Sequence, residues 1–276
     1  MPHRFPFFMS QQDRMAENTF AVIQILERDN FSYLLRDRQT GESLVIDPGY
    51  PAIYSRVINE GIQISGVFHT HGHSDHTGAT PLFIEKFKCP LWAVKEGTGV
   101  ESVSEGTVIN FGRSCAVVKQ VPGHTPDSAA LQAGNCLFTG DALFLGTFGY
   151  AASPEALSST YQTLYHKIAS FNDQLLVFSG HDYSVEDLTL VHQAIGSAEG
   201  LEMTIEKCIA TRKRRGAMNT SFDDMIISSV RDEKNWNLAY NLDNPGVKKM
   251  VAARGLRPGE SHFEKYRGVQ FLVNAS

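Results

Sequence analysis

Short strand-like runs of apolar residues dominate the first part of the chain. Phe20–Leu26, Phe31–Arg36 and Ser43–Ile46 read as strands joined by turns at Arg28-Asp29-Asn30 and Gln39-Thr40-Gly41, with Asp47-Pro48-Gly49 closing the meander. Pro51–Glu60 reads as a helix opened by its proline and stopped by Gly61, and Ile62–Phe68 as a buried strand. Thr80–Phe87 has the marks of a helix with Thr80 as N-cap and Pro81 at the first helical position. Strands are expected at Leu91–Val94, Thr107–Phe111 and Ala116–Val121, then a hairpin of Ala129–Gln132 and Cys136–Phe138 over Gly134-Asn135. Ser153–Ser170 is predicted helical, capped by Ser153 with Pro154 behind it, and Leu175–Phe178 is the expected last core strand. Meanders followed by strand–helix alternation, twice over, give an α+β fold: an αβ/βα sandwich of two mixed sheets flanked by helices.

From Val185 the pattern changes. Val185–Ile195, Leu201–Arg215, Phe222–Tyr240 and Val247–Ala253 carry helical spacing, and the rest of residues 246–276 cannot be placed. The expected division is a flexible leader over 1–18, a catalytic domain over 19–184 and a mainly helical C-terminal region over 185–276.

The 276 residues are 42% hydrophobic and 20% charged, which suits a globular chain with a sizeable core. A net charge of −5 argues against nucleic acid as a general partner. No apolar run approaches the roughly 18 residues needed to span a bilayer, so no membrane association is expected. Cys89, Cys115, Cys136 and Cys208 form no CxxC pair and are expected to be buried free thiols in a reducing compartment. Met1–Asn18 lacks a continuous apolar stretch, so it is not read as a secretory signal; the expected location is cytoplasmic, with mitochondrial as the alternative. Oligomeric state is not legible.

The chemistry lies at the strand ends. Thr70-His71-Gly72-His73-Ser74-Asp75-His76 follows the buried strand at Ile62–Phe68. Residues two apart face different ways on a helix, so this motif belongs on a loop, where imidazole and carboxylate suit zinc, iron or manganese. Pro122-Gly123-His124-Thr125, Thr139-Gly140-Asp141 and Ser179-Gly180-His181-Asp182 each put one further candidate ligand just after an apolar segment. This ordered set resembles the metallo-β-lactamase-fold superfamily, and within it the glyoxalase II (hydroxyacylglutathione hydrolase) and persulfide dioxygenase branches, over about Phe20–Leu190.

The resemblance implies that His71, His73 and His124 hold one metal, that Asp75, His76 and His181 hold a second, and that Asp141 bridges them. It implies two divalent ions, zinc first with iron or manganese as alternatives. Asp75 and Asp141 would be the catalytic carboxylates, and Asp47 would lie beneath the site and bond near a ligand histidine. The implied activity is a glyoxalase II-like hydrolysis of a thioester or thiol conjugate by metal-activated water; the alternative is a mononuclear iron persulfide dioxygenase. A nucleic-acid-processing relative would carry a basic face, and a vestigial binding protein would have lost a ligand; the sequence has neither mark. His69 is read as structural, as are His3, His166, His192 and His262, and Asp182 as a residue supporting the site.

The family's substrate loop resembles G-C-G-R, whereas here it reads Gly146-Thr147-Phe148-Gly149-Tyr150, with Tyr150 in place of the basic residue. Phe148 and Tyr150 are therefore the candidate substrate contacts. Arg212-Lys213-Arg214-Arg215 reads as favourable charge at a helix C-terminus or as an anionic-substrate patch, joined by Lys248, Lys249, Arg254 and Arg257.

Overall fold

The computed structural model describes residues 18–214, 225–257 and 259–273. Its first sheet is built from β1 (Phe20–Glu27), β2 (Asn30–Asp37), β3 (Glu42–Ile46), β4 (Gln63–Phe68), β5 (Leu91–Ala93) and β6 (Glu101–Ser102), in that order. β1–β3 are antiparallel, and β3 to β6 are parallel. The crossing from β3 to β4 is made by α1 (Pro51–Asn59), that from β4 to β5 by a single turn α2 (Ser74–Thr77) and α3 (Thr80–Phe87), and that from β5 to β6 by a loop.

The second sheet runs β12-β11-β10-β9-β8-β7, from Ser228–Ser229, Leu176–Ser179, Cys136–Gly140, Ala129–Ala133, Ser114–Gln120 and Val108–Phe111. Only β10 and β11 are parallel in it. They are linked by α4 (Pro154–Gln162), which continues through a π turn at Thr163–Lys167 and a 3-10 turn at Ile168–Ser170. The remaining helices are α5 (Ser184–Ile195), α6 (Leu201–Arg214), α7 (Val230–Trp236), α8 (Pro245–Ala253) and α9 (His262–Val273).

Alternation along β2 explains the layering. Phe31, Tyr33 and Leu35 face the second sheet, where Phe138 and Phe178 meet Tyr33 edge-on at 5.0 and 5.7 Å. Leu34 points the other way, into a smaller core with Ile53 and Val57 of α1 and Phe83 of α3. The larger core does not stop at β11. It continues through Leu188 and Val191 of α5, Trp236 of α7 and Tyr266 of α9.

Several expected elements differ. Residues 225–227 and β12 are not helical, although Phe222–Tyr240 carries helical spacing; residues 222–224 lie outside the described residues. Ser229 starts α7 there with a capping box to Asp232, and the two residues Ser228–Ser229 add an edge to the second sheet beyond β11. Ala79, not Thr80, caps α3, and the Thr80 hydroxyl is committed instead to His69 Nε2 at 2.6 Å. Cys115 is exposed because its strand alternates between buried Ser114 and Ala116. Of the expected 1–18 leader, residues 1–17 lie outside the described residues, His3 with them, while the Asn18 amide donates to Asn135 Oδ1 at 2.7 Å. No helix among the described residues is long and apolar enough to cross a membrane.

Candidate metal centre

The carboxyl ends of β3, β4, β8, β10 and β11 open onto one edge of the sandwich. Backbone bonds sew the two sheets together there: Ala129 N–H to the Thr70 carbonyl and Phe31 N–H to the Gly180 carbonyl, both at 2.7 Å. β4 delivers His69 to His73, and the motif then winds into α2, which carries Asp75 and His76. The loop expectation is therefore corrected for its second half: a single helical turn separates Asp75 and His76 from His71 and His73. β8 delivers His124, β10 Asp141 and β11 His181.

All seven candidate ligands come together, in two groups. His71, His73, His124 and Asp141 can converge on one point, and Asp75, His76 and His181 on another. His71 Nε2 and His124 Nε2 both lie 3.0 Å from His73 Nδ1, and His76 Nε2 lies 3.2 Å from His181 Nε2. Asp141 stands between the groups. Its Oδ2 is 3.6 Å from His124 Nε2 and 3.3 Å from His181 Nε2, and its Oδ1 is 3.4 Å from His76 Nε2.

Hydrogen bonds behind the rings fix which nitrogen faces inward. Asp47 Oδ1 accepts from the Thr70 N–H at 2.7 Å, and Oδ2 from the Thr70 hydroxyl at 2.6 Å and from His76 Nδ1–H at 3.1 Å. The Thr70 oxygen, having spent its proton on Asp47, accepts from His71 Nδ1–H at 3.1 Å. His124 Nδ1–H donates to the Tyr150 carbonyl at 2.9 Å. Nε2 of His71 and His124 is thus left proton-free toward the centre, and His76 turns its Nε2 to the same space. Asp47 also groups with His71 and His76 as if it were a ligand, but its oxygens are consumed by these donors, so it orients the rings.

For His71 and His124 the electrostatics agree. Burial pushes His71 down to about 4 and lowers His124, keeping both neutral, the form that ligates. Burial opposes a charge on Asp141, but His76 and His181 outweigh it and hold the carboxyl well below the usual range. Burial likewise opposes a charge on His76, but Asp141 and Asp47 raise it well above the usual value.

The residues present fit a pair of divalent ions. Asp141 Oδ1 and His181 Nδ1 are buried polar atoms with no hydrogen-bond partner among the described residues, and Oδ1 faces the interior of the site. Three imidazole nitrogens meeting near 3 Å cannot all be satisfied by protons. A tetrahedral zinc-type ion with bonds of about 2.0–2.1 Å spaces its ligands about 3.3 Å apart, close to what is seen. Two glycines make the room: a Cβ on Gly180 would collide with the Asp141 carboxylate, and one on Gly149 with the Asp141 carbonyl.

Around the centre, Phe148 is fully buried and stacks on Tyr266 at 5.3 Å, while Tyr150 is 52% exposed. His69 lies outside both ligand groups. Asp182 belongs to neither ligand group; its carboxylate takes the Ser184 hydroxyl at 2.6 Å and the Arg212 guanidinium. Arg212 also pairs with Glu186 at 2.7 Å, so the first cation of the basic run ties α6 to the residue after His181 rather than facing a substrate. Lys248 pairs with Asp243 at 2.8 Å, Asn244 caps α8, and Arg215 lies outside the described residues.

Sequence reasoning missed Asn30, read only as part of a turn. Its amide donates to the Asp75 carbonyl and carboxylate, each at 3.1 Å, from 45 residues away. It also missed Phe144 and Tyr183. The Tyr183 ring stacks on His181 at 4.8 Å, and Phe144 meets the same imidazole edge-on at 5.9 Å. A Tyr two residues after the ligand was the available signal.

The family model of the metallo-β-lactamase superfamily matches residues 26–181. Among relatives, a hydroxyacylglutathione hydrolase of Alkalilimnicola ehrlichii is 30% identical over 229 residues, covering 80% of this chain and 85% of that protein. One from Bradyrhizobium is 28% identical over 238 residues, covering 82% and 89%. Of solved structures, ETHE1 from Myxococcus xanthus superposes with a TM-score of 0.63 at 22% identity, over 92% of this chain and 91% of that one. A metallo-β-lactamase from Staphylococcus aureus does so with a TM-score of 0.61 at 20% identity, over 92% and 72%. At those identities the two structures speak for the fold alone.

Proposed function

The chain belongs to the metallo-β-lactamase superfamily and is a metal-dependent hydrolase, and from that premise we propose that it cleaves a thioester of the hydroxyacyl-glutathione kind at a binuclear centre. His71, His73 and His124 would hold one ion and Asp75, His76 and His181 the other, with Asp141 common to both. The observation that carries this reading is the Asp141 carboxylate, set within 3.3–3.6 Å of nitrogens from both groups. Zinc is the first expectation, with iron or manganese as alternatives.

Bound there, divalent ions supply Lewis acidity toward a carbonyl and bring the pKa of a water toward neutrality. The chain does the rest. Asp47 and Thr70 hold His71 and His76 with Nε2 inward, and Asn30 fixes the Asp75 carboxylate. The Tyr150 carbonyl fixes His124, and the rings of Phe144 and Tyr183 shield His181 from water. No cysteine belongs to a ligand group among the described residues, and Cys136 and Cys208 are buried, with burial pushing both thiols up. A mononuclear dioxygenase would leave Asp75 and His181 idle, yet Asn30 holds the Asp75 carboxylate and Tyr183 stacks on the His181 ring.

Metal analysis beside a thioester-hydrolysis assay tests the proposal. Wild type is expected to hold two ions per chain and to hydrolyse thioesters. Asp141→Ala should lose both ions, and His181→Ala mainly one. A single iron per chain with oxygen uptake and no thioester cleavage would replace this reading with the dioxygenase.

A further inference from the structure

The cavity beside the centre has walls of carbon. Phe144, Thr147, Phe148, Tyr150, Tyr183 and Phe271 line a space of about 670 Å³, a size that takes a small organic ligand. It abuts both halves of the centre: Phe144 and Tyr183 pack on His181, and Tyr150 holds His124 through its carbonyl. Two carboxyls also border it, and neither is set to repel an apolar guest. Glu186 is paired with Arg212, and burial pushes Asp187 up to about 7 while the Thr147 hydroxyl donates to it at 2.5 Å. A second cavity of about 560 Å³ shares Tyr150 and Phe271 with the first and reaches Arg267. Among the described residues lining the two, Arg267 is the single cation, and it stands in the second cavity.

Tyr150 and Phe271 are 52% and 51% exposed, large rings turned outward at the shared rim rather than inward to the core. Rings so placed gain most by closing on an apolar guest. A carrier with two carboxylates would meet no cation among the described residues of the first cavity; Arg28 and Arg212 line the adjoining space beyond Tyr183 and Glu186, and Arg212 is already paired with Asp182 and Glu186.

Resting on the thioester-hydrolase reading above, we infer that the substrate bears an apolar, aryl-sized group that fills the cavity of Phe144, Tyr150, Tyr183 and Phe271, and that the glutathione carrier adds little to recognition. The group can sit on the acyl or the thiol side of the reacting carbonyl.

The test is a panel of thioesters on the metal-loaded full chain. Phenylacetyl-N-acetylcysteamine places the ring on the acyl side, the benzyl thioester of lactate places it on the thiol side, and lactoylglutathione lacks it. One of the two aryl esters is expected to exceed lactoylglutathione about tenfold or more in kcat/KM, through KM, because burying a ring is uniform binding. Phe271→Asp, at the exposed rim, should remove that advantage while metal content stays at the wild-type value. Lactoylglutathione equalling or exceeding both aryl esters would overturn the inference and leave the hydrolase reading intact. If no thioester is cleaved, the hydrolase reading falls, and calorimetry with two stable thioethers still decides the inference. S-benzyl-N-acetylcysteamine binding more tightly than its S-methyl analogue, and losing that margin in Phe271→Asp, supports it; equal affinities overturn it.

Discussion

One carboxylate, that of Asp47, serves two candidate ligands at once. It takes His76 Nδ1–H directly and His71 through the Thr70 hydroxyl, from a left-handed backbone (φ 49°) that a non-glycine residue rarely adopts. Asp47→Asn keeps the shape but turns an amide toward one of these donors. The expected result is a 10–100-fold loss of metal affinity, measured by chelator competition, because partners behind ligands fix tautomer and aim. Unchanged affinity would mean that the rings are aimed by packing alone. The seven candidate ligands could be read as motifs that follow apolar runs, and Asp47's place beneath them through the family resemblance. Asn30 could not, because its bond to Asp75 exists only once β2 meets the loop after β4.

The loop after Asp141 is held by helices far along the chain. Glu233 on α7 is fully buried; it accepts the Gly146 N–H at 3.0 Å, the Asn237 amide at 2.8 Å and the Ser228 hydroxyl at 2.6 Å. That same amide reaches the Thr147 carbonyl at 2.7 Å, and Asp187 on α5 takes the Thr147 hydroxyl. Burial pushes the Glu233 carboxyl from 4.5 up to about 7. A raised folded-state value means that the proton is kept in the folded chain and lost in the unfolded one across this window. Stability is therefore full below pH 4.5 and declines as pH climbs through 7, by about 3 kcal/mol. Glu233→Gln imitates the protonated side chain. Between pH 5 and 8 its Tm is expected to fall by several degrees less than that of wild type, by calorimetry on metal-loaded protein. Parallel curves would show that Glu233 stays ionised throughout. At this scale the sequence was partly readable. Pro51 and Pro154 open helices where proline chemistry puts them, and the helix expected over Val247–Ala253 starts two residues earlier, at Pro245. Phe222–Tyr240 misled, because Ser228–Ser229 have too little length to show a strand period and owe their pairing to β11.

Across the whole molecule, composition marks a change at Val185, but the packing does not stop there. Leu188, Val191, Trp236, Leu238, Tyr266 and Val269 share one apolar cluster with Phe138, Phe148 and Phe178 of the sandwich. Periodicity reveals that a helix has an apolar face, not which distant strand covers it, so the helical region could be read from the sequence and its shared core could not. A chain cut after Tyr183 keeps every candidate ligand. It also uncovers β11, whose Leu176 and Val177 pair with Ser229 and Ser228, and it removes Glu233 and Asp187 from the loop after Asp141. Large buried side chains each lose roughly 1.5–3 kcal/mol of burial, and several are exposed together, against a total stability of about 5–15 kcal/mol. The fragment 1–183 is therefore expected to lack a cooperative thermal transition and to bind metal weakly, by calorimetry and metal analysis after gel filtration. Should it instead unfold cooperatively, with two ions bound and only KM for a thioester raised, the helices would be a substrate-binding appendage on an independent domain, and the continuous core would be dispensable to the fold.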